Sequence, residues 1–138
     1  MADKEQIGWP YTLHPSLGVR LRTAFGQQYP LTDEELVMVD TGYSGEIGIP
    51  RRLYQKLGFH MWEEPEFQRF TIADGRDLQM RVSHGYISMP KLDHAPFSVE
   101  VHTWVKEEID FGEIVIGVKF IKRFKLLLDG PANKVRIL

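Results

Sequence analysis

Val37-Met38-Val39-Asp40-Thr41-Gly42-Tyr43-Ser44-Gly45 is the stretch on which the reading of this chain turns. Leu36 to Val39 is apolar on both faces, as in a short central strand, and an acidic residue stands directly at its end. A carboxylate at the end of a buried strand is costly unless the backbone leaves the strand there and supplies hydrogen bonds. Gly42 and Gly45 permit such a turn, and Thr41 adds a hydroxyl. Asp also caps strand ends in ordinary Asx-turns, so these residues alone leave a site and a simple cap equally open.

Outward from this stretch the dominant period is two. Val19, Leu21, Thr23 and Phe25 alternate with Arg20 and Arg22, the pattern of a half-buried strand. Phe70 and Ile72 on one side of Asp74-Gly75, and Leu78, Met80 and Val82 on the other, predict a hairpin with a two-residue turn. Alternation returns from Phe97 through Val99, Val101 and Thr103 to Val105, and further strands are expected at Ile114–Ile116, Lys125–Leu128 and Val135–Leu138. Helical signals are short. Pro50 opens and Gly58 closes one segment with Leu53 and Leu57 between them. A second, Val118 to Phe124, sets Phe120, Ile121 and Phe124 against Lys119, Lys122 and Arg123, the charged face of a surface helix. Residues 1–16, with Pro10 and Pro15, read as an irregular N-terminal arm, and Glu63-Glu64-Pro65-Glu66 as an acidic surface loop. The expected fold over residues 17–138 is mostly β, about seven to nine strands with two short helices in a closed barrel or folded sheet.

Composition narrows the function. A chain of 138 residues is one domain's worth of material. With no Cys it holds neither disulfides nor thiolate zinc sites. Seventeen basic residues against nineteen acidic ones give a formal charge of −2, which provides no field for nucleic acid or an anionic membrane. No apolar run approaches the ~20 residues of a membrane span. The start Met-Ala-Asp-Lys-Glu-Gln lacks the basic-then-apolar signature of a secretory signal, so a soluble cytoplasmic protein is expected. His14, His60, His84, His94 and His102 have no metal-ligand spacing. Gly42-Tyr43-Ser44-Gly45-Glu46 misses the serine-hydrolase elbow by one residue, and Ser44 is better read as a loop hydroxyl bonded to backbone. Trp9, Trp62, Trp104, Phe67 and Phe70 lack interleaved basic residues and are assigned to core and interface packing.

The order apolar-apolar-Asp40-Thr41-Gly42, a second short apolar segment at Ile47 and Ile49, a small helix, an Asp-Gly hairpin and finally Ile114-Val115-Ile116-Gly117 before a helix resembles the retropepsin-like aspartic proteases. It is most similar to single-domain bacterial members with an aromatic residue after the Asp-Thr-Gly. That resemblance implies a retropepsin-like barrel acting as a homodimer and no cofactor. It makes Asp40 the catalytic carboxylate, with Thr41 linking the two loops across the dimer axis and Gly42 offering an amide to the carboxylate. Tyr43 and Ser44 would support the loop. The hairpin would be the flap over a peptide or protein substrate, with Ala73, Asp74, Gly75 and Arg76 at its tip, and Gly117 would sit behind the loop. Departures from the family pattern are Tyr43 in place of a small residue, Lys119 in place of Asp or Asn, and a flap tip with a single Gly.

The chemistry has its own logic. Hydrolysing a peptide bond without a metal or a covalent nucleophile needs one group to take a proton from water and another to protonate the carbonyl oxygen. Two carboxylates sharing one proton do both. Asp74-Gly75 and Asp129-Gly130 lack the apolar strand and the intervening Thr, so this chain carries one such Asp and the second must come from another copy around a two-fold axis, with Val135–Leu138 expected in the contact. The competing reading is a non-catalytic dimerisation or peptide-binding module.

Overall fold

The computed structural model describes residues 7–72 and 74–138. Among them are eleven strands and two short helices: β1 (Gly8–Pro10), β2 (Ser16–Arg22), β3 (Gln28–Tyr29), β4 (Glu35–Val39), β5 (Ile47–Gly48), α1 (Arg51–Lys56), β6 (Gln68–Thr71), β7 (Asp77–Ser88), β8 (Phe97–Trp104), β9 (Val115–Ile116), α2 (Val118–Ile121), β10 (Leu126–Asp129) and β11 (Lys134–Ile137). A 3-10 turn at Phe59–Trp62 follows α1.

Eight strands form one sheet in the order β3-β2-β4-β9-β5-β8-β7-β6, and a further pairing of β2 with β7 closes it into a barrel. Ladder bonds that would face solvent at an open edge are thereby satisfied within the fold. The remaining strands make a small antiparallel sheet in the order β1-β11-β10.

Apolar residues alternate to both faces of the barrel strands. Val37 and Val39 of β4, Val99 and Val101 of β8 and Ile116 of β9 enter one core with Leu17, Ile47 and Ile87. Met38, Trp104 and Val115 from the same three strands face a second core with Tyr43, Phe70, Met80 and Val82. Period two predicts a solvated face on β8; instead His102 is fully buried and Trp104 is 4 % exposed, because the second core covers that face.

Several expectations are corrected. The irregular arm contains β1, tied to β11 by the pairs Gly8↔Arg136 and Trp9↔Val135. Trp9 is 1 % exposed, and its indole N–H donates to Glu34 at 3.2 Å, so the arm is part of the core despite its prolines. The strand expected at Val19–Phe25 runs instead from Ser16 to Arg22. There the backbone turns, with Gln27 donating to Thr23 Oγ1 at 3.0 Å, and Phe25 is left 42 % exposed. Trp62 and Phe67 are exposed rather than packed inside. The turn of the β6–β7 hairpin is longer than two residues: Thr71 pairs with Asp77, Ile72 N–H donates to the Arg76 carbonyl, and Gly75 takes the positive φ of 86° that closes the loop. Helix α2 stops at Ile121, short of Phe124. No helix among the described residues is long and apolar enough to cross a membrane.

Candidate active site

Asp40 leaves β4 at the point where the parallel strand β9 holds the backbone. Met38 pairs with Val115 and Val39 with Ile116, and the Asp40 N–H donates to the Ile116 carbonyl at 2.8 Å. Strand β9 also pairs antiparallel with β5, so a strand from late in the chain fills the slot between the two strands that flank the Asp40 loop. Without it the end of β4 would be held on one side only, by its pairing with β2. Within the loop, Gly42 N–H donates to Asp40 Oδ1 at 2.9 Å and Tyr43 N–H to the Asp40 carbonyl at 3.2 Å. Thr41, Gly42 and Ser44 face solvent, whereas Tyr43, Gly45 and Glu46 are buried.

Gly117 lies behind the loop with no space to spare. A Cβ there would stand 2.6 Å from the Tyr43 carbonyl and closer still to that of Gly45. Helix α2 begins directly after it and returns its first amides to the loop, Val118 to Tyr43 at 2.9 Å and Lys119 to Gly45 at 3.2 Å. These bonds satisfy helix N–H groups and fix the loop at once.

Tyr43 and Lys119, two of the departures noted in the sequence, stand at the ends of a row of polar groups that runs from the buried Tyr43 to the exposed Lys119. The Tyr43 ring is 1 % exposed and its hydroxyl is hydrogen-bonded to His102 Nδ1. Burial pushes the phenol well above its ordinary pKa, with Glu100 and Glu46 adding to the effect, so the hydroxyl keeps its proton. It also reaches Met80 Sδ at 3.8 Å. His102 Nε2 lies 3.7 Å from Glu100 Oε2, beyond hydrogen-bond length, and has no hydrogen-bond partner among the described residues. Burial holds His102 below its ordinary range. His102 and then the Lys119 ammonium hold Glu100 down at about 2, and Glu100 in turn raises Lys119. Beside this chain, Glu46 is 4 % exposed, ion-paired with Arg123 and accepts the Glu100 N–H at 3.3 Å. Nothing along the sequence assigns Glu46, Glu100 and His102 to this site: His102 reads as one of five histidines without metal-ligand spacing, and the available signal is Glu46 standing inside the apolar run Gly45 to Ile49.

Opposite the loop stands the β6–β7 hairpin. Ser44 binds it reciprocally: Ser44 N–H donates to the Thr71 carbonyl at 3.1 Å, and Thr71 N–H donates to Ser44 Oγ at 3.0 Å. A cavity of about 650 Å³ lies between loop and hairpin, lined by Asp40, Tyr43, Ile72, Asp74, Ile109 and Phe111 among others. Of the expected hairpin-tip residues, Asp74 reaches this cavity and is paired with Arg76 at 2.7 Å. Hydrogen bonds from the Arg76 amide and side chain keep its carboxyl below the ordinary range. Gly75 and Arg76 are exposed, and Ala73 lies outside the described residues. Among the described residues no His, Asp and Glu cluster could hold a metal ion.

No protein-family model matches the chain. An uncharacterized protein of Archaeoglobus fulgidus is 26 % identical over 102 residues, covering 74 % of this chain and 75 % of that one. The crystal structure of a retropepsin-like aspartic protease from Rickettsia conorii is similar over 86 % of this chain and 87 % of its own, with a TM-score of 0.51 and 17 % identity. The fold is retropepsin-like. Within this fold the Asp40 loop, Gly117 and the hairpin stand close together although far apart in sequence, joined by β9 and Ser44.

Proposed function

We propose that the protein is an aspartic endopeptidase whose active form is a homodimer, with the Asp40 carboxylates of the two copies sharing one proton and activating a water between them. The observation that carries this reading is the placement of Asp40 at a 650 Å³ cavity under the hairpin, on a loop whose Thr41 and Gly42 are exposed. The other carboxylates of that cavity are engaged elsewhere: Asp74 with Arg76, Asp110 with the Arg51 amide at 2.8 Å, and Glu113 within 4.0 Å of His14. Asp40 has no ion pair among the described residues and accepts the Gly42 amide. A second acid/base group of the same kind is therefore best supplied by another copy.

In this reading the exposed Thr41 meets its counterpart across the axis. The amide of Gly42 orients the carboxylate, Ser44 ties loop to flap, and Asp74 to Arg76 with Ile72 close over a peptide. Of two carboxylates brought together in this way only one can ionise readily, so the pair holds the proton that the carbonyl oxygen needs while its charged member takes one from water. The expected dimer strand, β11, has both edges filled by β1 and β10, so the backbone edges left for a partner among the described residues are those of β1 and β10, and on β10 Leu127 and Leu128 are 39 % and 43 % exposed.

Asp40→Asn tests the mechanism. The variant is expected to keep the wild-type circular dichroism and oligomeric state and to lose cleavage of a mixed peptide library. Cleavage at the wild-type rate would end the carboxylate-pair reading, and a wild type that binds peptides without cutting them would establish the non-catalytic module instead. Wild-type activity is expected to peak at acidic to mildly acidic pH, and a rate rising steadily to pH 9 would contradict a shared proton.

A further inference from the structure

Residues 105–113 form neither strand nor helix, yet they build one wall of the cavity beside Asp40. Their own main-chain bonds are sparse: Val105 donates to the Gln79 carbonyl at 3.4 Å and Ile109 to that of Lys106 at 3.2 Å. Most of the hydrogen bonds that hold the segment from outside converge on Arg51, at the start of α1. Arg51 Nη2 donates to the carbonyls of Ile109 at 2.8 Å, Trp104 at 3.4 Å and Lys106, while Nη1 reaches that of Glu107 at 3.4 Å. Its backbone N–H takes Asp110 Oδ1 at 2.8 Å. A cation in the first turn of a helix opposes the helix dipole, so helix formation does not explain an arginine here, and the converging carbonyls do.

The wall so fixed presents Ile109 and Phe111 to the cavity. The Phe111 ring lies 5.6 Å from that of Tyr43 and 5.1 Å from that of Trp104, and it fills the space a side chain at Gly48 would need. Position is thus passed from Arg51 through the loop carbonyls to an aromatic ring in edge contact with the residue three after Asp40.

We propose that Arg51 is a positioning residue for substrate selection: by gathering the carbonyls of residues 104–109 it fixes Ile109 and Phe111 as an apolar wall, and the cavity accepts a peptide with a large apolar side chain beside the bond to be cut. The assignment rests on the peptidase reading above. Lysine cannot take over this task, because an ammonium concentrates three donors at one point whereas the guanidinium spreads five over a plane.

The test compares wild type and Arg51→Lys on peptides that differ only in one side chain, Phe, Leu, Ala or Lys, with amide hydrogen exchange run in parallel. Arg51→Lys is expected to raise KM for the Phe and Leu peptides about tenfold with kcat within about twofold, and to flatten their preference over Ala. Exchange should accelerate across residues 105–113 and stay unchanged in β2 and β4. A wild type that cleaves with its preference shared by Arg51→Lys overturns the Arg51 assignment and leaves the peptidase reading intact. A wild type that cleaves none of the peptides removes the peptidase reading, and selectivity with it, whatever the exchange pattern. Should Arg51→Lys fold poorly, Phe111→Leu, which trims the wall and spares its anchor, must shift the same preference.

Discussion

Tyr43 turns its ring inward under the Asp40 loop, where its hydroxyl meets His102 and its ring meets Phe70 and Phe111. Tyr43→Phe keeps the ring and leaves His102 Nδ1 buried without its hydrogen-bond partner, at a cost of about 1–3 kcal/mol. Thermal unfolding should register this as a fall of several degrees, and an unchanged midpoint would mean that the hydroxyl is dispensable. Gly117→Ala is expected to destabilise to a comparable degree, because its methyl group would meet two backbone carbonyls that cannot rotate away. Overpacking of this kind typically costs about 1–3 kcal/mol, and the displaced loop should lower activity beyond the loss of stability. Asp40-Thr41-Gly42 and Gly117 are legible as sequence because a short motif states their chemistry. Tyr43 and Lys119 read as isolated departures, since nothing along the chain indicates that His102 and Glu100 lie between them.

Strand β8 carries the pH sensitivity of the fold. Glu100, held at about 2 against an ordinary 4.5, contributes stability that is complete above pH 4.5 and disappears as the pH falls through about 2. His102 is held below its ordinary 6.5 by burial, so the unfolded chain takes up a proton that the folded one refuses, and stability declines as pH falls below 6.5. The melting temperature should therefore drop by several degrees between pH 7 and pH 4, and His102→Asn should shallow that slope. A flat wild-type profile between pH 7 and pH 4 would refute the contribution of His102, and a flat one from pH 4.5 down to pH 2 that of Glu100. The hairpin is tied next to its turn rather than free along its length, since at Thr71, the last residue of β6, it bonds β7 on one side and Ser44 on the other. Ser44→Ala removes one of the two reciprocal bonds. It should speed amide exchange at Thr71 several-fold while leaving β7 unchanged, at a cost of about 1 kcal/mol or less because the site is exposed. Sequence alternation locates both strands of this hairpin but not the clasp, which joins residues 27 positions apart.

At the scale of the whole molecule, one closed barrel presents one Asp40, and the free edge of β10 with Leu127 and Leu128 is where a second copy can extend the small sheet. Specific activity should rise with protein concentration as monomer converts to dimer, and sedimentation velocity should follow the same transition. Leu128→Lys is expected to shift both to higher concentration, whereas activity per chain independent of dilution in a sedimenting monomer would exclude a shared site. The sequence by itself determined the mostly β character, the strand that ends on Asp40 and both short helices, because these follow from local periodicity and turn chemistry, while the place of Gly117 behind the loop was an implication of the family resemblance. Only the tertiary structure decided that Gly8–Pro10 is a strand with Trp9 in the core, that the second half of β8 is buried on both faces, that one row of polar groups leads from Tyr43 to Lys119, and that Arg51 gathers carbonyls of the segment lining the cavity. Each of these depends on which distant segment covers a given face. Burial of that kind is a property of the closed barrel, and no stretch of residues carries it alone.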